Sequence, residues 1–160
     1  MKHRIAGNEA YITNAVLKYS DTVLRVAYYR TGDHHLSQDI TQEVFIKLLS
    51  QKEMTDEHLK AWLIRCAVNK AADAFRQRAR RREEAFSEQG ENVPFMRYDD
   101  YDLLDAVNAL PPDERTAVYL YYYEGYTAKE IAHMLNKNQN TVASLIRRGR
   151  EALKGEFFDE

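Results

Sequence analysis

Apolar residues recur along this chain at spacings of three and four, with no sustained alternation at a spacing of two, which is the pattern of helices with one buried face. In the first half Tyr11, Ala15, Leu17, Val23, Leu24, Ala27 and Tyr28 mark one long or broken helix. It should end at Thr31-Gly32-Asp33, where glycine supplies a stop. A second helix is predicted over 36–49 and a third over 56–80, after the polar break Gln51-Lys52-Glu53-Met54-Thr55. Residues 83–100 contain Ser87, Gly90, Asn92, Pro94 and several acids with little periodicity, and they predict a flexible linker. Beyond it the pattern predicts helices at 101–109, 112–123, 128–135 and 139–154, the second of them opened by Pro111-Pro112. The expected fold is therefore all-α, two small helical domains at 1–82 and 101–160 joined by a linker at 83–100.

Composition narrows this picture. A chain of 160 residues that is 44% hydrophobic and 30% charged has the make-up of a soluble globular protein. The apolar stretch from Ala117 to Tyr123 is far short of the roughly 20 residues a membrane helix needs, so no membrane insertion is expected. The basic start Met1-Lys2-His3-Arg4 has no apolar run behind it, which predicts no secretory signal and a cytoplasmic protein. One cysteine, Cys66, excludes an internal disulfide and a multi-cysteine zinc site. His34 and His35 stand without a neighbouring cysteine and read as a loop or helix start rather than metal ligands, so no metal site is assigned.

The net charge of −2 hides a division along the chain. Residues 1–86 carry 15 basic and 11 acidic side chains, whereas 87–100 carry 1 and 4 and 101–160 carry 7 and 10. Two compact basic sites stand out, Arg76, Arg78, Arg80, Arg81 and Arg82 in one place and Arg147, Arg148, Arg150 and Lys154 in another.

The second basic site ends a helix-turn-helix pattern. Thr127 with Glu130 three residues on makes a capping box, Ile131 and Leu135 face inward, and Ala132 is small enough for a second helix to cross closely. Asn136 suits a left-handed backbone. Val142, Leu145, Ile146 and Leu153 give the next helix a buried face and leave Thr141, Ser144, Arg147, Arg148 and Arg150 for solvent or DNA. A helix in the major groove meets base edges at its start and phosphates further along. A helical hairpin with a solvated basic face is the plainer reading. The tyrosines Tyr119, Tyr121, Tyr122, Tyr123 and Tyr126 invite a base-stacking role, but aromatics at helical spacing are expected in the core.

The third helix is more discriminating. Leu59, Leu63, Ile64, Ala67, Val68, Ala71, Ala74 and Phe75 fill one side of it. Trp62, Arg65, Asn69, Asp73, Arg76 and Arg80 form a stripe on the other. Guanidinium groups neutralise phosphates and planar groups stack on unpaired bases, so the stripe suits single-stranded DNA. Trp62 fits either the edge of the core or a role in separating the duplex, and the arginines past Arg76 also fit a solvated helix end.

Together these segments resemble the sigma-70 superfamily, and its extracytoplasmic-function group, over nearly the whole chain. The stretch from Leu36 to Lys47 (LSQDITQEVFIK) is similar to regions 2.1–2.2, and Ala61 to Arg76 (AWLIRCAVNKAADAFR) to regions 2.3–2.4. Ala109 to Arg115 (ALPPDER) resembles the opening of region 4, and the helix-turn-helix through Arg147-Arg-Gly-Arg-Glu-Ala-Leu-Lys154 its close. The resemblance implies a promoter-reading subunit with no chemistry and no cofactor of its own. It implies that Asp39, Gln42, Glu43 and Phe45 meet the β′ clamp helices of core RNA polymerase, although Phe45 by itself reads as core. It further implies that the third helix binds the non-template strand of the melted minus-ten element, with one flipped base held near the loop from Lys52 to Asp56. The linker would run toward the RNA exit path, region 4 would dock on the β flap while reading the minus-thirty-five element, and an anti-sigma factor is an implied partner.

The chain also departs from the family. Ala143 and Leu145 stand where basic residues are common, Lys137 where an apolar one is usual, and Gly149 where alanine is usual. Glycine inside a helix costs roughly 1 kcal/mol relative to alanine, which predicts a last basic turn that is frayed without DNA. The rival readings are an autonomous helix-turn-helix regulator, which leaves the stripe unexplained, and a nucleic-acid enzyme. The enzyme reading has only the Asp39 and Glu43 pair to offer, with no histidine beside it.

Overall fold

The computed structural model describes residues 2–81 and 106–157, which are helices joined by turns and short irregular segments. The chain divides into two compact units, Met1–Glu91 and Asn92–Glu160. The expected linker, Arg82 and the first half of the helix expected at 101–109 lie outside the described residues; 106–108 are helical.

The first unit is three helices packed pairwise, α1 (Lys2–Thr31), α2 (His34–Leu48) and α3 (Asp56–Arg81). The corner between α1 and α2 follows from its residues. Gly32 takes a positive φ of 67°, which a side chain would resist, and its N–H donates to Tyr28 O at 2.7 Å. Asp33 then caps α2 by accepting from the Leu36 N–H at 3.0 Å. Ser37 is fully buried at this corner, with its hydroxyl donating to Asp33 O at 2.6 Å. Histidines 34 and 35 therefore open a helix, as their sequence context suggested.

The core is Val23, Val26 and Ala27 of α1, Ile40, Val44 and Leu48 of α2, and Leu59, Leu63, Ile64, Ala67, Val68 and Ala71 of α3. Leu17, expected on the inner face of α1, is instead 77% exposed. At about 100° per residue it sits roughly 120° from Val23 and roughly 160° from Ala15, which themselves lie only about 80° apart, so the apolar face passes it by. Ala74 is half-buried, and the side chain of Phe75 lies outside the described residues.

The second unit holds α4 (Pro112–Val118), a π-helical turn at Tyr119–Tyr123, α5 (Ala128–Leu135) and α6 (Gln139–Phe157). The Thr127–Glu130 capping box forms in both directions, Glu130 N–H to Thr127 Oγ1 at 3.1 Å and Thr127 N–H to Glu130 Oε1 at 3.1 Å. Asn136 is left-handed at φ 54°, ψ 47°. The Lys137 N–H reaches back to Ala132 O at 2.9 Å, a Schellman closure that aims the next segment across α5. Asn138 then caps α6 by accepting from the Thr141 N–H at 2.8 Å.

Two expectations fail in this unit for instructive reasons. Tyr119 is buried, but Tyr121, Tyr122 and Tyr123 are 40%, 54% and 64% exposed and Tyr126 is half-buried. The helix register slips here, with Glu124 N–H bonding Tyr119 O at 3.2 Å and Tyr126 N–H bonding Leu120 O at 3.0 Å, so ordinary helical spacing no longer assigns faces. Gly149 is not a weak point in α6. It is buried against α4, where an added Cβ would collide with Val118 Cγ2 and lie 3.6 Å from Leu110 Cδ1, and α6 continues past it.

Candidate nucleic-acid interface

On α3 the six predicted residues fall within an arc of about 80° at roughly 100° per residue, along nearly 30 Å of axis. Arg65, Asn69, Asp73, Arg76 and Arg80 are exposed and Trp62 is half-buried, which suits a ring anchored at the core edge with one face toward solvent. Arg76 Nη1 lies 3.6 Å from Asp73 Oδ1, both side chains largely exposed. Such a pair contributes about 0 to 1 kcal/mol, so a phosphate can take the guanidinium at small cost. The buried side of the same helix includes Cys66, whose thiol is pushed up in pKa by burial.

On α6 the predicted set does not form one stripe. Thr141 and Arg150 lie about 180° apart, at opposite edges of the exposed side, with Arg147 and Arg148 exposed between them and Ser144 half-buried. Arg148 is already engaged, its Nε 3.7 Å from Glu114 Oε1 and 3.4 Å from Ser144 O. A second cation–carboxylate contact joins Lys137 Nζ in the turn to Asp113 Oδ2 at 3.3 Å. Both carboxylates come from the first turn of α4, so the Pro-Asp-Glu start of that helix sits against the helix-turn-helix.

On α2, Asp39, Gln42 and Glu43 are exposed, with Glu43 Oε2 3.5 Å from Lys70 Nζ on α3. Phe45 is 9% exposed and belongs to the core, so it cannot offer its ring to a partner without moving. Two residues that the sequence reading passed over share the exposed arc. Ile46 is 65% and Leu49 54% exposed beside Gln42, and their spacing from Asp39 and Gln42 could have flagged them. Among the described residues no cluster of three or more histidine, cysteine or acidic side chains could hold a metal, and no helix is long and apolar enough to cross a membrane.

Residues 15–81 match the family model for sigma-70 region 2, and residues 101–153 that for sigma-70, region 4. The RNA polymerase sigma-H factor of Pseudomonas aeruginosa is 31% identical to this chain, over 86% of it and 81% of the relative. The chain belongs to the sigma-70 superfamily, in its extracytoplasmic-function group. The extracytoplasmic-function sigma factor SigE of Mycolicibacterium smegmatis is 36% identical over 87% of the chain, which spans only 58% of that relative's length. Among solved structures, the sigma factor RpoE of Bartonella quintana, crystallised with the anti-sigma factor NepR, has the same fold: TM-score 0.74 at 23% identity, covering 89% of this chain and 94% of that one. The three-helix unit is thus sigma region 2 and the helix-turn-helix unit sigma region 4.

Proposed function

We infer that this chain binds core RNA polymerase, directs initiation at selected promoters and assists strand opening, without a cofactor or chemistry of its own. The observation that carries this reading is the exposed stripe of Arg65, Asn69, Arg76 and Arg80 behind Trp62, on the helix that sigma region 2 contributes. An operator-binding regulator has no use for a second, single-strand surface outside its helix-turn-helix. In the proposed mechanism the stripe, with Asp73, holds the non-template strand of the minus-ten element. Capture of unpaired bases stabilises the melted state by binding energy alone.

Thr141, Ser144, Arg147, Arg148 and Arg150 are assigned to the duplex minus-thirty-five element, Arg147 toward phosphate and the start of α6 toward base edges. Asp39, Gln42 and Glu43, joined by Ile46 and Leu49 in place of Phe45, are assigned to the β′ clamp helices, and region 4 to the β flap. An anti-sigma factor is a further proposed partner, as the one bound to the Bartonella relative illustrates for that protein.

The test is transcription by purified core polymerase on fragmented genomic DNA with and without this protein. New transcripts from defined sites that depend on it support the reading. Folded protein that neither binds core nor yields a transcript, beside a working control sigma factor, sinks it in favour of an autonomous regulator. On the promoter so found, Asn69→Ala with Arg76→Ala should impair opening more than core binding; equal loss of both overturns the stripe assignment.

A further inference from the structure

The segment between α2 and α3 has no regular structure, and its two ends are held differently. The α2 side is an unwinding helix end: Leu49, Ser50 and Gln51 N–H groups donate to Ile46, Lys47 and Leu48 carbonyls at 3.1, 3.3 and 3.0 Å. The α3 side is held by α1 instead. The Met54 N–H donates to the Tyr11 hydroxyl at 3.0 Å, from 43 residues away in sequence. Lys18 Nζ bonds Asp56 Oδ2 at 2.8 Å, 38 residues away. Tyr19 is buried beside Lys18, whose ammonium stands 5.4 Å from its ring centre. Lys18 is raised and Asp56 lowered in pKa by their shared hydrogen bond, so both are charged throughout the neutral range.

Tyr11 and Lys18 are seven residues apart, two turns of one helix, and so lie on a single stripe of α1. We propose that Tyr11 and Lys18 are positioning residues that fix the Lys52–Asp56 segment in the shape that receives a flipped promoter base. This rests on the function proposed above and on the base-receiving role that the family resemblance implies for the Lys52–Asp56 loop, and adds to them the helix that sets the receiving geometry. Held at the Met54 N–H and at the Asp56 carboxylate, the segment leaves Lys52, Glu53 and Thr55 exposed, with an ammonium, a carboxylate and a hydroxyl available to the edge of an unpaired base. A receiving loop that is ordered in advance loses less freedom when the base arrives, and it discriminates better because its polar groups cannot shift to suit the wrong one.

Global stability gives a weaker account of these contacts. The Lys18 and Asp56 side chains are 60% and 57% exposed, and an ion pair so placed adds little to the stability of a domain. Removing it should leave the fold intact and change where the segment sits.

The experiment uses full-length protein in reconstituted holoenzyme, as wild type, Tyr11→Phe, Lys18→Met and Lys18→Arg. Templates carry each of the four bases at every minus-ten position, and the reading is the ratio of open-complex lifetimes between the preferred base and the others. Tyr11→Phe and Lys18→Met should each flatten that ratio at one position by about fivefold, the scale of one net hydrogen bond. Core binding and thermal melting should stay at the wild-type level, and Lys18→Arg should retain the preference. In the free protein, Tyr11→Phe should speed amide exchange at Met54 while Leu63 and Ile64 stay protected. An undiminished preference in both variants, or unchanged Met54 exchange, overturns the proposal. If Tyr11→Phe loosens the whole domain, Lys18→Met decides the matter, because its side chain lies outside the core. Wild type that opens no promoter, or opens it without base preference, sinks the proposed function itself and the base-receiving role with it.

Discussion

Gly149 illustrates how one missing methyl group can set the distance between two helices. Its Cα faces Val118 closely enough that a Cβ has no room, and Leu110 and Leu153 pack around the same contact. Gly149→Ala should therefore destabilise region 4 by about 1 to 3 kcal/mol, outweighing the roughly 1 kcal/mol that alanine gains in helix propensity. Thermal melting checks this, and pairing it with Val118→Ala should make the double variant more stable than the two single losses predict. Cys66 is a second residue whose surroundings decide its behaviour. Only 6% exposed and with its thiol pushed up in pKa by burial, it should resist alkylation at neutral pH and react at the rate at which region 2 opens. Labelling followed by mass measurement, with and without denaturant, would give that rate; fast labelling of native protein would contradict the packing.

At the scale of elements, α2 carries two faces of unequal certainty to sequence reading. Its inner face is aliphatic and binds the bundle, while Ile46 and Leu49 stand outside with Asp39 and Gln42. Ile46→Asp and Leu49→Asp should leave melting within about 0.5 kcal/mol of wild type, since neither residue is in the core. Each should weaken binding to core polymerase by about tenfold, the order expected of an apolar anchor at an interface; a pull-down titration separates the two effects.

Much of this was open to inspection in the sequence. The capping box, the left-handed Asn136 and the limits of α5 depend on residues within one or two turns of each other, and local rules found them. The α3 stripe was legible for the same reason, because helical period alone assigns its face. The exposed tyrosines were not, since a π turn changes the period within the element that the period was used to read. Phe45 sat on the boundary between faces, where spacing does not decide. Gly149 and the Tyr11–Met54 bond depend on partners 31 and 43 residues away, which no local pattern reaches.

For the whole molecule, cation placement matters more than the net charge of −2, which works against any general attraction to DNA. The carboxylates of Asp113 and Glu114 lie against Lys137 and Arg148, so region 4 carries counter-ions of its own, built into the chain. When DNA displaces them the protein exchanges one partner for another, and fewer ions return to bulk than the tally of basic residues implies. Each phosphate contact normally steepens the fall of log K with log salt by about 0.9, so Arg147→Ala should flatten that slope by nearly this amount and Arg148→Ala by visibly less. Duplex binding by holoenzyme, titrated from low to moderate salt, measures both slopes, and equal changes would refute the distinction. Glu114→Gln should do the reverse and make binding tighter and more salt-dependent. On the proposed reading, the acidic first turn of α4 is predicted to act as a salt buffer, making promoter affinity less sensitive to the ionic strength around the protein.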